Sequence, residues 1–285
     1  MKVAIFGRTT SKENIECFNT LTNILSEKNI EFTVYKSFHQ IITDKSYKTF
    51  TSNKGVMSVD FLISIGGDGT LLRTLKLILD SGIPVLGINT GRLGYLASTA
   101  KEDVKLAVQQ LIDKEYTLDK RNLISIIEPK KLFSTNYALN ECTVSKKDIS
   151  SMITIHTYLN DEYLNSYWAD GLIISTPTGS TGYSLSCAGP IILPASNNFV
   201  ITPIAPHNLT VRPLVIPDDT EVKLKIETRE QKILVTLDGN SKSIDNKTEL
   251  TLKKEKFTVN LIKLNKHNHL ATLRNKLMWG IDKRN

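Results

Sequence analysis

The first hundred residues show two alternating hydrophobic patterns. Apolar side chains recur every three or four residues over about 14–29 and again from Leu71 to Leu79, which predicts two amphipathic helices. Short, continuous apolar runs lie between them and predict buried strands, so the order of elements indicates a parallel sheet covered by helices. Segment 36–58 has no clear period and receives no assignment. The strands are predicted at 3–6, 31–35, 61–65 and 85–88.

Beyond about residue 115 the pattern changes to many short apolar runs separated by turn residues such as Asp238-Gly239. This spacing predicts an all-β second domain. A helical stripe at 270–277 follows, and we expect that helix to pack back on the first domain. The β-like runs are 123–127, 137–144, 152–159, 172–175, 199–204, 222–226, 233–237, 250–252 and 257–264.

The sequence therefore predicts two domains, an α/β domain and an all-β domain. We expect the α/β domain over 1–100 plus 266–285 and the all-β domain over 101–265. The cleft between two such domains is the usual place for a small ligand.

Composition narrows the class of protein. Charged residues at 23% and aromatic residues at 7% are typical of a folded chain, and no apolar run approaches the ~20 residues that cross a bilayer. The apolar stretch after Met1 is too short for a signal-peptide core. Cys17, Cys142 and Cys187 are odd in number and form no CxxC pair, so we expect no membrane segment, no disulfide framework and a cytoplasmic protein.

The net charge does not decide the function. Lys and Arg number 36 against 29 Asp and Glu, which gives +7, but the basic residues are scattered and form no arginine-rich segment. This distribution favours a solvated basic surface, and we expect no nucleic-acid partner. A nucleic-acid binder would still retain its ligand in a filter assay at ~0.15 M salt.

The first motif with clear chemistry is Gly66-Gly67-Asp68-Gly69-Thr70, where a predicted strand passes into a predicted helix. Its glycines let a ligand approach the main chain, and the free N–H groups at a helix start favour a phosphate. A carboxylate repels phosphate, so we expect Asp68 either beside a metal or as a base that accepts a hydroxyl proton. The motif is neither a Walker loop nor the GxGxxG fingerprint, which disfavours a hydride-transferring enzyme.

Two later segments are rich in hydrogen-bonding groups. Asn140-Glu141 offers acceptors for ribose hydroxyls, although such a pair alone is more typical of a turn. Ala169-Asp170-Gly171 precedes the segment 175–186 (STPTGSTGYSLS), which consists mostly of Ser, Thr and Gly. Its donors suit a polar ligand, and Tyr183 is available to stack on a flat ring.

In this combination and order, the motifs resemble those of bacterial-type NAD kinases. The blocks GINTGRLGYL (87–96), PIAPH (203–207) and RPLVI (212–216) agree with the likeness, which spans about 61–240. GGDGT alone is shared with diacylglycerol, sphingoid-base and 6-phosphofructo-type kinases. The block 169–186 is what restricts the resemblance to the NAD kinases among these families.

The resemblance implies transfer of the ATP γ-phosphoryl group to the adenosine ribose 2′-hydroxyl of NAD, giving NADP, with Mg²⁺ as the divalent cation. It implies a Rossmann-like α/β lobe, a β-sandwich-like lobe and a homodimer or homotetramer. It makes Asp68 the proton acceptor and places Asn140 and Glu141 on the NAD ribose. The other residues that it places at NAD or ATP are Gly67, Gly69, Thr70, Arg73, Asp170, Thr178, Thr181, Gly182, Tyr183, Ser184, Leu185, Ser186, Ala205 and Asn240.

Three positions depart from the family pattern. Asn240 stands where glutamine is frequent, which keeps the amide, and Gly182 stands where alanine is frequent. Trp168 stands where a basic residue is common, so we expect one polar ligand contact to be absent.

Two other functions stay open at this point. A lipid kinase would share GGDGT, but it needs an apolar acyl pocket, whereas 175–186 is polar. A non-catalytic NAD sensor would bind NAD without turnover. His267-Asn268-His269 offers only two metal ligands, so we predict no metal site built by protein side chains.

Overall fold

The fold is described from a computed structural model. It describes residues 1–91, 94–148, 151–265 and 269–279. The chain divides into two compact units, Met1–Lys120 with Val259–Asn285 and Arg121–Thr258. The predicted domain boundaries, by comparison, lie at 100 and 265.

The described residues form six α-helices and twenty strands. The helices are α1 Lys12–Glu27, α2 Lys36–Ile42, α3 Asp68–Ile78, α4 Val104–Ile112, α5 Tyr183–Ser186 and α6 His269–Leu277. The strands of the first unit are β1 Lys2–Gly7, β2 Glu31–Tyr35, β3 Thr49–Phe50, β4 Phe61–Ile65, β5 Val85–Asn89, β6 Thr99–Ala100, β7 Tyr116–Arg121 and β20 Val259–Leu264. Those of the second unit are β8 Ile124–Glu128, β9 Tyr137–Ala138, β10 Glu141–Lys146, β11 Ile153–Leu159, β12 Glu162–Ala169, β13 Gly171–Ser175, β14 Asn198–Ile204, β15 Leu214–Pro217, β16 Val222–Glu227, β17 Lys232–Leu237, β18 Asn240–Asp245 and β19 Leu250–Lys254.

The first unit is built on an eight-stranded sheet in the order β3-β2-β1-β4-β5-β20-β7, with β6 beside β5. Strands β1 to β5 and β20 pair in parallel, as the alternation of strands and helices predicts. Phe18, Leu21 and Leu25 of α1 are fully buried in the core of this unit, together with Ile5 and Ile63 of the sheet. Because parallel strands share an orientation, their carboxyl ends place the loop 66–70 at one edge of the sheet.

Strand β20 is the largest departure from the predicted organisation. The run 257–264 is expected in the all-β domain, whereas Leu261 pairs with Val85 of β5 in the parallel sheet of the first unit. A short apolar run has the same pattern in either kind of sheet, so its partner cannot be deduced from its period. The predicted C-terminal helix is present as α6 and belongs to the first unit, where Lys276 lies 5.8 Å from the centroid of the Tyr95 ring.

The second unit consists of two antiparallel sheets. Their strand orders are β15-β14-β13-β10-β17-β18 and β12-β11-β16-β19-β8-β9. Alternate side chains from both sheets fill one core, for example Val144 and Ile174 from the first and Ile155 and Leu224 from the second. This is the β-sandwich that the many short runs predict.

Of the described residues, no helix is long and apolar enough to cross a membrane. All three cysteines are free, and Cys17 and Cys142 are buried. The structure thus contains no disulfide framework among these cysteines, as their spacing predicts.

Candidate functional site

The loop that carries GGDGT joins β4 to α3 in the first unit. Gly66 has φ +139°, a left-handed value that favours glycine, and a Cβ there would lie 2.6 Å from Thr70 Oγ1. Gly67 and Gly69 are exposed, and a Cβ at either would meet no atom of the described residues within 4 Å. The main chain at the start of α3 is therefore accessible, and Gly67, its N-cap, provides no side-chain hydrogen bond to the helix.

Asp68 is the first residue of α3, and its carboxylate accepts three consecutive backbone N–H groups. Tyr95 donates to Oδ2 at 2.8 Å, and Leu96 and Ala97 donate to Oδ1 at 3.0 and 2.8 Å. Gly94 makes room for this contact, because a Cβ at that position would lie 2.0 Å from Oδ1. The carboxylate is thus fixed in one position, at a helix start where negative charge is stabilised.

Arg73 lies on α3 one turn beyond the motif and is exposed. It lines a pocket of about 340 Å³ together with Arg8, Lys76, Ser37 and Tyr35. The residues that line this pocket include three cations and no carboxylate. Such a pocket suits an anionic group.

In the second unit, Asn140 and Glu141 lie where β9 ends and β10 begins. The carboxylate of Asp238 accepts the backbone N–H groups of Leu139, Asn140 and Glu141 at 2.6, 2.8 and 3.2 Å. Asp238 is the functional residue that sequence reasoning missed. Its only signal was the Asp238-Gly239 turn, which fixes a hairpin and says nothing of a contact almost a hundred residues away.

Glu141 is half-buried, and one oxygen of its carboxyl is enclosed by protein. Its Oε2 atom is buried and has no hydrogen-bond partner among the described residues. Burial, and after it the negative charge of Asp238, raises the pKa of Glu141 to about 8. Burial also raises the pKa of Asp238 to about 6, although its three backbone N–H bonds act in the opposite direction. Burial thus favours the protonated form of both carboxyl groups, and Glu141, which also faces the charge of Asp238, is the one that holds its proton more strongly.

The segment 175–182 packs directly on the Asn140 turn. The N–H of Thr176 donates to the Asn140 carbonyl at 2.8 Å, and the Thr176 hydroxyl donates to the Leu139 carbonyl. Gly179 permits this approach, because a Cβ there would lie 2.1 Å from the Asn140 carbonyl oxygen. Gly182 lies beside Glu141, with its ideal Cβ 3.1 Å from Oε2.

Several predicted site residues of this segment have partners within the protein. Arg121 donates to the Thr178 hydroxyl at 3.1 Å, and Thr181 donates to the Thr178 carbonyl at 3.2 Å. Ser184 is fully buried, with its hydroxyl 2.8 Å from that of Thr202. Asn240 donates to the Leu237 carbonyl at 3.1 Å. These contacts hold the turns in place.

A second group of predicted residues lies at the opposite end of β13. Asp170 directly precedes β13, and Ser175 at the other end of the strand pairs with Glu141. Asp170 and Ser175 are five residues apart, which is roughly 16 Å along the strand. The backbone N–H of Asp170 donates to Ile204, which places Ala205 at the same end. Burial, and after it the charges of Cys187 and Asp170, raise the pKa of Tyr183.

The surface near the Asp170 end of β13 combines charged and aromatic side chains. Lys146 pairs with Asp170 at 2.7 Å. The Tyr183 ring is 46% exposed and free to receive a flat ligand, and Ser186 is exposed, whereas Leu185 is half-buried. Trp168, which departs from the family pattern, lies against the His207 ring with centroids 4.2 Å apart.

The structure thus assembles the predicted residues into three groups. The Asp68 group belongs to the first unit, and the Glu141 and Asp170 groups belong to the second. Among the described residues, no three His, Cys, Asp or Glu side chains could hold a metal ion together. Arg92 and Leu93 of the 87–96 block, and the pair His267-Asn268, lie outside the described residues, as does the side chain of His269.

Comparison with known proteins gives a consistent result over the whole chain. Residues 3–116 match the family model "ATP-NAD kinase N-terminal domain", and residues 139–264 match "ATP-NAD kinase C-terminal domain". An NAD kinase of Flavobacterium psychrophilum is 50% identical over 294 aligned positions that cover 100% of both chains.

Two solved structures share the fold. A yeast NADH kinase complexed with NADH matches with a TM-score of 0.87 at 23% identity, covering 98% of this chain and 87% of that one. An NAD kinase from Archaeoglobus fulgidus in complex with ATP matches with a TM-score of 0.80 at 26% identity, covering 98% of this chain and 99% of that one.

Proposed function

This chain belongs to the ATP-NAD kinase family, and from that membership we propose how its residues carry out the reaction. The protein is an ATP-dependent phosphotransferase that converts NAD to NADP. The observation that carries the assignment of its chemistry is the fixed Asp68 carboxylate beside exposed glycine main chain at the start of α3.

Asp68 acts as the general base. The 2′-hydroxyl oxygen of the NAD adenosine ribose forms a bond to the γ-phosphorus of ATP as the bond from that phosphorus to the β–γ bridging oxygen breaks. The hydroxyl proton passes to the Asp68 carboxylate, and ADP leaves with the bridging oxygen. Each carboxylate oxygen has two acceptor sites, so the backbone N–H bonds leave capacity for this proton. A positioned base of this kind contributes ~10²–10⁴-fold to the rate.

The phosphates of the donor lie at the start of α3. The exposed main chain of Gly67 and Gly69 supports this, because neither glycine carries a side chain and a Cβ at either would meet no described atom within 4 Å, so phosphate can approach their N–H groups closely. Thr70 belongs to the same turn. Arg73 faces a pocket that also holds Arg8 and Lys76, which neutralises the negative charge that spreads in phosphoryl transfer.

NAD occupies the surface of the second unit. Asn140 and the protonated Glu141 hold the ribose hydroxyls, since a neutral carboxyl both donates and accepts. Asp170 contacts the other end, roughly 16 Å away along β13, and a dinucleotide is long enough to reach from Glu141 to Asp170. Tyr183 follows Gly182, which lies beside Glu141, and offers its exposed ring between the two ends. Ala205 and Ser186 border that end, whereas Ser184 and Thr178 position the turn through their own hydrogen bonds.

The divalent cation, Mg²⁺ in this proposal, would be held mainly by the phosphates of ATP. The described side chains form no metal cage, and Mg²⁺ is commonly held by substrate phosphates with only one or two carboxylates. When bound, it neutralises the phosphates on which charge develops. Asp68 is the carboxylate of the described GGDGT loop that could also face it.

A second copy of this chain is proposed as partner in a homodimer or homotetramer. Trp168 and Leu209 of the second unit are 50% and 86% exposed, and large exposed apolar side chains in one region are typical of interaction surfaces. Light scattering of the purified protein measures the assembly mass.

We also place the protein in the cytoplasm, where its free cysteines stay reduced, and cell fractionation tests that location.

The decisive experiment is an NADP-specific dehydrogenase assay with NAD, ATP and Mg²⁺, comparing the wild type with Asp68→Asn. We expect NADP formation by the wild type and a loss of at least ~10²-fold in the variant, with NAD binding retained. Asp60→Asn is the matched control, since Asp60 also accepts a backbone N–H, from Lys2 at 2.7 Å, in the same unit.

The fold of Asp68→Asn needs a separate check. The amide NH₂ would face one of the three backbone donors, so we expect a lower melting temperature, and circular dichroism must show folded protein at the assay temperature. Turnover within about threefold of wild type would remove Asp68 from the role of base.

A further inference from the structure

The hairpin between β17 and β18 turns at Asp238 and Gly239, whose φ angles are +43° and +77°. Leu237 pairs with Asn240, so the turn has two residues, and Asp-Gly with two positive φ angles is the signature of a type I′ turn. The turn fixes the backbone of Asp238. Its carboxylate therefore has a defined direction, toward the segment 139–141.

That segment needs an acceptor for its amides. The strand run is interrupted at Leu139 and Asn140, between β9 and β10, and backbone N–H groups outside a ladder must find another partner. The Asp238 carboxylate accepts all three N–H groups of 139–141 at 2.6 to 3.2 Å. In return, the N–H of Asp238 donates to the Glu141 carbonyl at 3.3 Å.

The carbonyl side of the same turn is held by a different element. Thr176 binds the carbonyls of Leu139 and Asn140 through its hydroxyl and its N–H. The Asn140 turn is thus fixed from both sides, with Asp238 on the amides and Thr176 on the carbonyls. Thr176 carries no charge, so Asp238 is the partner that also acts on the turn electrostatically.

The electrostatic surroundings of Glu141 come from few groups. Among the described residues, the titratable groups that face it are Asp238 from the β17–β18 turn and the buried thiol of Cys142. The thiol is neutral, because burial, Glu141 and Asp238 all raise its pKa. The one charge that Glu141 meets is therefore that of Asp238, and two adjacent carboxylates in such a site do not ionise together.

We propose that Asp238 is a positioning residue for NAD: it holds the Asn140–Glu141 turn in the conformation that presents both side chains to the ribose, and it places a negative charge beside the Glu141 carboxyl. This inference rests on the proposed binding of the ribose by Asn140 and Glu141. Asp238 itself acts through its neighbours, since its carboxylate is occupied by backbone amides.

The test is the pH dependence of the KM for NAD in Asp238→Asn. The variant keeps one oxygen acceptor, loses the charge and places an NH₂ group against a backbone donor. We expect the KM for NAD to rise about tenfold and the KM for ATP to change less than about twofold, because a lost charged hydrogen bond is of that size.

The pH profile separates positioning from simple destabilisation. In the wild type the KM for NAD should rise as the pH passes about 8, when Glu141 loses its proton. Removing the Asp238 charge lowers the pKa of Glu141, so in the variant this rise should move down by about one pH unit. A purely structural role would lower the melting temperature and leave the profile in place.

Two further variants complete the design. Asp245→Asn is the control, since Asp245 lies at the far end of the same hairpin, is exposed and accepts the N–H of Lys247 at 2.8 Å. Gly239→Ala keeps the Asp238 charge but strains the turn at φ +77°, so the KM for NAD should rise without a shift of the profile. It also answers the question if Asp238→Asn does not fold.

An unchanged KM for NAD in folded Asp238→Asn, or in Gly239→Ala if the former does not fold, would overturn the proposal. A raised KM with an unshifted pH profile in Asp238→Asn would overturn the part that concerns Glu141. Failure of the wild type to form NADP would instead refute the proposed function, so the two failures are distinguishable.

Discussion

Asp68 and Asp238 use their carboxylates in the same way, although they belong to different units. Each accepts the N–H groups of three consecutive residues, 95–97 for Asp68 and 139–141 for Asp238. A charged acceptor bound by several amides is strongly held, and the loop that donates them is held with it. We propose that Asp68 is held in this way for chemistry, whereas Asp238 holds its neighbours.

Gly94 sets the position of the Asp68 carboxylate. In Gly94→Ala the new Cβ would lie 2.0 Å from Oδ1, so the carboxylate must leave its amide donors. We expect kcat to fall at least about tenfold, since a misplaced base loses much of its contribution, while the KM for NAD changes little.

The control for this variant is Gly91→Ala in the same segment. A Cβ at Gly91 would meet only Asn89 Oδ1, at 3.9 Å, which is ordinary contact. Steady-state kinetics of both variants provide the measurement. An equal kcat for Gly94→Ala and wild type would show that the three amides do not hold the catalytic position.

Asp68 could be predicted from the sequence and Asp238 could not, for a physical reason. Asp68 lies within a contiguous motif whose glycines and helix start are readable from local chemistry. Asp238 acts on residues 97 to 99 positions earlier, and such a contact exists only after β17 has paired with β10. Ser184 is the opposite case. It lies in a polar segment that suggests a ligand contact, but its hydroxyl is buried against that of Thr202.

At the level of elements, the contact between the segment 175–182 and the Asn140 turn shapes the proposed ribose site. Gly179→Ala would place a Cβ 2.1 Å from the Asn140 carbonyl oxygen, and the obstacle is backbone. We expect a loss of about 1–3 kcal/mol in unfolding free energy, as for overpacked sites, and a raised KM for NAD because the turn must move.

Gly182→Ala is the informative comparison. Its Cβ would lie 3.1 Å from Glu141 Oε2 and from the Gly179 carbonyl oxygen, so the neighbours need to shift by only a few tenths of an ångström. Thermal melts and NAD titrations should show a clearly smaller effect than for Gly179→Ala. Equal effects of the two variants would argue against backbone contact at Gly179 as the constraint.

Helices and strands were predicted correctly where the apolar residues of a segment recur with one clear period. Segments 31–35 and 61–65 match β2 and β4 residue for residue, whereas α1 begins earlier than predicted, at Lys12, because its first turn is polar and is capped by Ser11. Among the elements that were not predicted are helix α2, strand β12 and helix α4, which lies within the range 101–265 expected to be all-β. The side chains of β12 are mostly exposed or half-buried, so an alternating apolar pattern is weak there.

At the scale of the whole molecule, each unit has its own core. The core of the second unit consists entirely of residues between 124 and 252, whereas that of the first unit includes Ile262 and Leu264 from the end of the chain. The second unit is therefore continuous in sequence, and the first is not.

We expect residues 121–258 to fold as an isolated fragment. All strands of both antiparallel sheets lie within it, and circular dichroism should show a cooperative thermal transition. Residues 1–120 alone should not show one, because they lack β20 and its four buried apolar side chains, worth about 1.5–3 kcal/mol each. A cooperative transition in 1–120 would contradict this division.

Strand β20 also has a consequence for synthesis of the protein on the ribosome. Its neighbours β5 and β7 are complete by residue 121, but the strand that lies between them is translated after the whole second unit. At ~5–20 residues per second, the nascent chain waits on the order of ten seconds with the edge of β5 paired to β6 at Ile88 and Asn89 but unpaired at Val85. During that interval the edge is open to pairing with other chains, so we expect this kinase to depend on chaperones while it is being made.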